Sequence, residues 1–162
     1  MDINSLLVSL NLIKPEIVIT ILLFLVIAFD LFYKDNAVIP YITLIGLLVS
    51  LVFAITGLPF KENAFSLTNS QFGLLAIDPI SSFFKIIILL ASIFVVLFTI
   101  ISDEVEDLKI RKGEFYTLIS GMVLGMLFLT SATDFVMIYV AMELLSLPSY
   151  VLSGFMRLRD RS

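Results

Sequence analysis

The sequence has no cysteine, no histidine and no tryptophan among its 162 residues. Lacking cysteine, it can hold no disulfide, no thiol nucleophile and no thiolate-bound iron–sulfur cluster. Lacking histidine as well, it has no ordinary zinc site and no His- or Cys-ligated haem. Charge is scarce too. Charged residues make up 15% of the chain against 60% apolar residues, where soluble domains average about 25% and 45–50%. A soluble domain of this size could not bury so much apolar surface. A net charge of −4 without a basic block excludes nucleic acid as a partner. These absences leave a membrane protein that carries no electrons by those routes.

The apolar runs are long. A bilayer core of about 30 Å needs about 20 residues of helix, and five stretches meet that demand. They lie at about 15–33, 38–58, 79–101, 115–130 and 135–155. The fold class is an all-α polytopic membrane protein with five transmembrane helices. Pro15 and Pro79 stand at helix starts, where a missing N–H is harmless. The first stretch is a retained helix, since Asp2 occupies a position that should be basic in a signal peptide. The connections at 33–37 and 131–134 are short turns. The mixed stretch 59–78 is expected to lie partly along the membrane surface. Residues 102–114 form a charged loop.

Basic residues set the expected orientation. With five spans, one face holds Lys14 and Lys61. The other holds Lys34, Lys109, Arg111, Lys112, Arg157, Arg159 and Arg161. The richer face is expected to be cytoplasmic, which places the N-terminus outside and the C-terminus inside. The acidic run Asp103, Glu104, Glu106 and Asp107 leaves this unchanged, because the rule counts Lys and Arg.

Two charges fall inside spans. Glu143 lies about eight residues into the fifth, roughly 12 Å deep at 1.5 Å per residue. A carboxylate there costs roughly 3 kcal/mol on insertion scales, so it is read as a proton-transfer group before a structural one. Tyr139, Glu143, Ser146, Tyr150 and Ser153 are spaced 4, 3, 4 and 3 apart. On a helix they fall in one sector of about 80°. Such a stripe must face protein or water rather than lipid, as a hydrated path or a hydrogen-bonded seam. Pro148, one turn beyond Glu143, removes a backbone bond and tends to kink the helix.

Lys85 lies about 9 Å into the third span. It is expected either to pair with Glu143, should their helices adjoin, or to snorkel to the near interface. Asp78 lies on the same helical face as Lys85 and equally suits an N-cap before Pro79. Gly121 and Gly125 form a G-x-x-x-G pair, a weak signal for close helix packing. No metal site is expected.

The stretch Gly113-Glu114-Phe115-Tyr116, and above all SATDFVMIYVAMELLSLPSYVLSGF at 131–155, resembles the antiporter-like subunit N family of proton-pumping NADH:quinone oxidoreductase, respiratory complex I. The most specific part is Glu143-Leu144-Leu145-Ser146-Leu147-Pro148. Asp78-Pro79 and Phe83-Phe84-Lys85 resemble the family's third helix less specifically. The resemblance covers about residues 78–162. It implies a larger bundle of about fourteen helices, in which 1–102 is an N-terminal three-helix segment and 113–162 opens the first inverted repeat.

It also implies that Glu143 is the family's fifth-helix glutamate, paired with a lysine. The key lysines of that family come later than Ser162, so the sequence is expected to be an N-terminal fragment. The implied role is proton conduction coupled to electron transfer from NADH to quinone, a translocase function without redox chemistry in this chain. NADH, FMN, iron–sulfur clusters and quinone would be bound elsewhere in the complex. Its partners would be other membrane subunits, the lipid bilayer and protons. The implied setting is a bacterial plasma membrane, since no Arg- and Ser-rich transit segment precedes the first span. The alternatives are a subunit of a cation/proton antiporter or membrane-bound hydrogenase, or an inert membrane fragment.

Overall fold

The computed structural model describes residues 10–32, 36–57, 62–64, 74–102 and 112–155. Five helices account for nearly all of them: α1 (Lys14–Phe32), α2 (Ile39–Thr56), α3 (Pro79–Ile101), α4 (Lys112–Ser131) and α5 (Phe135–Phe155). Each is long and apolar enough to cross a membrane. They agree with the expected spans to within a few residues. The largest difference is at α4, which starts at Lys112 rather than near 115. Glu114 falls in its first turn, where a negative charge meets the positive end of the helix dipole. A 3-10 turn, Asn36–Val38, joins α1 to α2. The acidic run 103–107, and Lys34, Lys61, Lys109, Arg111, Arg157, Arg159 and Arg161, lie outside the described residues.

The helices run alternately up and down, so α1, α3 and α5 begin at one face, called here the N-terminal face. Asp78 is the N-cap of α3. Its backbone is extended (φ −131°, ψ 167°), and its carboxylate accepts from the Ser81 N–H at 2.7 Å. It is therefore held as a cap.

The stretch expected partly along the membrane surface includes a short hairpin. β1 (Glu62–Ala64) pairs antiparallel with β2 (Leu75–Ile77), with Glu62 opposite Ile77 and Ala64 opposite Leu75. Leu75 also bridges Ala132 in the α4–α5 turn, and the Thr133 N–H donates to the Leu74 carbonyl at 3.2 Å. Leu75 and Ile77 are buried with Ile13, against Phe128 and Met137. The hairpin thus closes the N-terminal face over α1, α4 and α5.

α4 is the hub, touching α1, α2, α3 and α5. Its small residues explain this, because without a hydrophobic drive in lipid, helices associate where backbones can approach closely. A Cβ at Gly125 would sit 2.8 Å from the Leu145 nitrogen and 3.1 Å from the Ala141 oxygen of α5, and one at Gly121 would meet Pro148 at 3.5 Å. The G-x-x-x-G pair is therefore the seat of α5. At the far face, the buried Tyr116 hydroxyl pairs with Thr99 at 3.2 Å, tying α4 to α3. The outward surface carries exposed Phe24, Phe94 and Phe98, the inside-out arrangement expected of a protein solvated by lipid.

Candidate functional site

Two carboxylates define the candidate sites, and they lie in different parts of the bundle. The first is Glu143, on α5. The face of α5 seated on α4 is made by Ala141, Leu144, Leu145 and Pro148. Glu143 follows Ala141 by two residues, about 200° around the helix. The whole stripe Tyr139, Glu143, Ser146, Tyr150 and Ser153 therefore points away from α4. Tyr139 is 61% and Tyr150 70% exposed. Ser146 and Ser153 turn their hydroxyls onto their own helix, donating to the carbonyls of Glu143 and Tyr150 at 3.4 and 2.9 Å. The stripe is thus no seam between the described helices. Among the described residues nothing forms an ion pair with Glu143. Pro148 lies inside an otherwise continuous α5, and its ring rests near Gly121.

The second carboxylate is Glu16, which the sequence reading passed over. Its Oε1 lies 2.6 Å from the Lys85 amine, with the two side chains 0% and 2% exposed. Lys85 thus pairs with α1, and its expected pairing with Glu143 does not form. α5 packs chiefly on α4, so the helices of Lys85 and Glu143 do not adjoin as that pairing required. The amine does reach back toward the near end of the bundle, but it ends on a buried anion rather than at the interface. The positions follow from local sequence. Glu16 stands in the first turn of α1, where Pro15 starts the helix and the dipole favours an acid. The Pro15 carbonyl accepts from the buried Ser50 hydroxyl of α2 at 3.1 Å, and the Glu16 carbonyl accepts from Thr20 at 2.8 Å. On α3, Ser81, Ser82, Lys85, Leu89 and Ser92 share the inward face. One signal could have found Glu16: α1 and α3 run in the same direction, and a lysine about two turns down can reach a first-turn acid on a neighbour.

A cavity of about 260 Å³ opens beside Lys85 at the N-terminal face, and Glu16 is not among its lining. Asn11, Lys14, Pro15, Thr56, Ser82 and Lys85 are among its lining. No group of acidic residues suited to a metal ion occurs among the described residues.

No family model matches the chain. Individual relatives do. The chain is 36% identical over 151 residues to NADH-quinone oxidoreductase subunit N 2 of Chloroherpeton thalassium, covering 91% of this chain and 28% of that protein. It is 38% identical over 157 residues to NADH-quinone oxidoreductase subunit N of Bacillus anthracis, covering 95% and 30%. It is 35% identical over 152 residues to NAD(P)H-quinone oxidoreductase subunit 2 of Gloeobacter violaceus, covering 91% and 28%. The chain spans under a third of the length of these curated relatives. None of the three is named as an antiporter or hydrogenase subunit.

Proposed function

We infer that this chain, similar over about nine-tenths of its length to subunit N of NADH-quinone oxidoreductase, is part of such a subunit and serves proton translocation in the membrane arm of complex I. The observation that carries the reading is the direction of the α5 stripe. Glu143, half-buried, stands in mid-helix on the side of α5 turned away from α4. An ionisable group cannot be left to lipid. It needs a further protein surface with polar groups of its own, and a larger subunit would provide one.

In that setting Glu143 is the proton-exchanging carboxylate. A carboxylate in a dry interior holds its proton, and a cation brought near releases it. Alternation of a neighbouring positive charge therefore loads and unloads the glutamate. Tyr139, Ser146, Tyr150 and Ser153 supply hydroxyls along the same line, where they can hold the water that carries the proton. Pro148 leaves the Leu144 carbonyl without its helical donor, one turn from the carboxylate. Electron transfer from NADH through FMN and iron–sulfur clusters to quinone belongs to other subunits. The basic-residue imbalance supports an N-terminus outside, and similarity to bacterial relatives supports a bacterial plasma membrane as the setting.

The test is Glu143→Gln in the full-length subunit within the assembled complex. Proton translocation per NADH oxidised is expected to be largely lost, and Glu143→Asp is expected to keep part of it. Normal translocation and quinone reduction in the Gln variant would sink the reading.

A further inference from the structure

The Glu16–Lys85 pair is not needed for the path through Glu143, and its setting does not fit a simple structural strut. A strut of this kind is costly: the desolvation of both ions is repaid only when every remaining donor and acceptor is satisfied. Here Oε2 of Glu16 is fully buried and accepts no hydrogen bond among the described residues. Lys85 has three donors, and its amine meets Oε1 as an ion pair, with neither carboxylate oxygen accepting a hydrogen bond among the described residues. The same lysine lines the cavity at the N-terminal face, together with Ser82, Thr56 and Asn11. That space is walled by apolar Leu12, Phe53, Ala54 and Ile77 as well as by these polar groups, and it is large enough for several waters, which need about 10–15 Å³ of such volume each.

We propose that the cavity is an aqueous vestibule and that Glu16 and Lys85 form a proton-exchange site served by it, separate from Glu143. Lys85, which lines the cavity where Glu16 does not, passes one of its protons to a Glu16 oxygen and takes a replacement from cavity water. Glu16 becomes neutral, and Lys85 keeps its charge but loses its counter-ion. Its amine then turns to the cavity water. Return of the proton to water restores the pair. No co-reactant other than water and a proton is required. Of the charged groups around the pair, Lys14 of α1 shares the cavity. Asp78 at the head of α3 has its carboxylate committed to the Ser81 N–H. α2 brings no charged side chain, and Lys112 and Glu114 of α4 stand at the opposite face. Lys14 is the nearby charge able to bias the exchange. The inference rests on the helices spanning a membrane and not on the quinone oxidoreductase reading, so its tests use no turnover measurement.

These 162 residues have no native cysteine, so in full-length protein with any cysteine elsewhere replaced, single thiols can report on hydration in its membrane. Ser82→Cys places a thiol at the cavity. Ser92→Cys makes the same small change on the same face of α3, about 15 Å further down. Silver ion, which reaches thiols through water, is added before unfolding and maleimide labelling. Ser82→Cys is expected to be protected from maleimide at a rate roughly tenfold or more above Ser92→Cys, since a thiol near water and a lysine is the more reactive. Equal rates would overturn the vestibule.

The exchange itself is read by infrared difference spectroscopy on acidification. A protonated carboxyl band should appear, shift in deuterium oxide, vanish in Glu16→Gln and move in Glu16→Asp. A spectrum that is the same in wild type and Glu16→Gln, with Glu16→Asp also unchanged, would mean a static ion pair and overturn the exchange site.

Discussion

Removing Lys85 alone leaves the fully buried Glu16 without a partner, whereas removing both residues leaves only a volume change. Breaking a buried pair from one side typically costs about 3–5 kcal/mol, while apolar replacement of both members is often neutral. Lys85→Met should therefore destabilise the protein by that amount, and Glu16→Leu/Lys85→Met should recover most of it. Unfolding in mixed detergent micelles, run as a double-mutant cycle, measures both. Asp78→Ala removes the cap of α3 and should cost about 1 kcal/mol in the same assay. At this scale the sequence announced its anomalies but not their partners. Glu143 and Lys85 stood out because each interrupts an apolar run. Glu16 did not, because an acid after a proline reads as an ordinary helix start. Its importance comes from the reach of the Lys85 side chain across the bundle to α1, which no single-helix pattern contains.

At the scale of elements, α5 is held by the close approach of two backbones at Gly125. A side chain there meets main-chain atoms of Ala141, Leu144 and Leu145, which cannot rotate aside as a side-chain tip can. Gly125→Leu should force α5 off α4, costing at least about 1–3 kcal/mol. Gly121→Ala should be nearly neutral, because its added methyl meets the Pro148 ring at an ordinary 3.5 Å. Proteolysis within the α4–α5 turn, and its protection in wild type, separates the two variants. The helices themselves were legible to within a few residues because each is a long apolar run closed by proline or polar residues. The hairpin was not. Its strands are three residues each, and Glu62-Asn63-Ala64 contains none of the β-branched or aromatic residues that mark a strand. Its pairing is set by the docking of Leu75 and Ile77 onto the bundle, a tertiary effect.

For the molecule as a whole, α5 presents two faces with opposite demands. One is small and apolar and lies against α4. The other carries Glu143 between two exposed tyrosines and looks outward from the five helices. This outward face makes sense as the lining of a path in a larger assembly, and as an expense in the five helices alone. Glu143→Leu should therefore act in opposite directions on the two properties. Membrane insertion of the segment 135–155 should become more favourable by about 3 kcal/mol, the difference between an acid and an apolar residue at mid-helix. A glycosylation-mapping assay of that segment reads the gain. Proton translocation in the full-length protein within its complex should fall as far as in Glu143→Gln, because the site then has no group to carry the proton. A variant that inserted no better would argue that Glu143 already has a satisfied place in the bundle. A variant that inserted better and still moved protons would take the glutamate out of the path and leave the stripe as a packing surface.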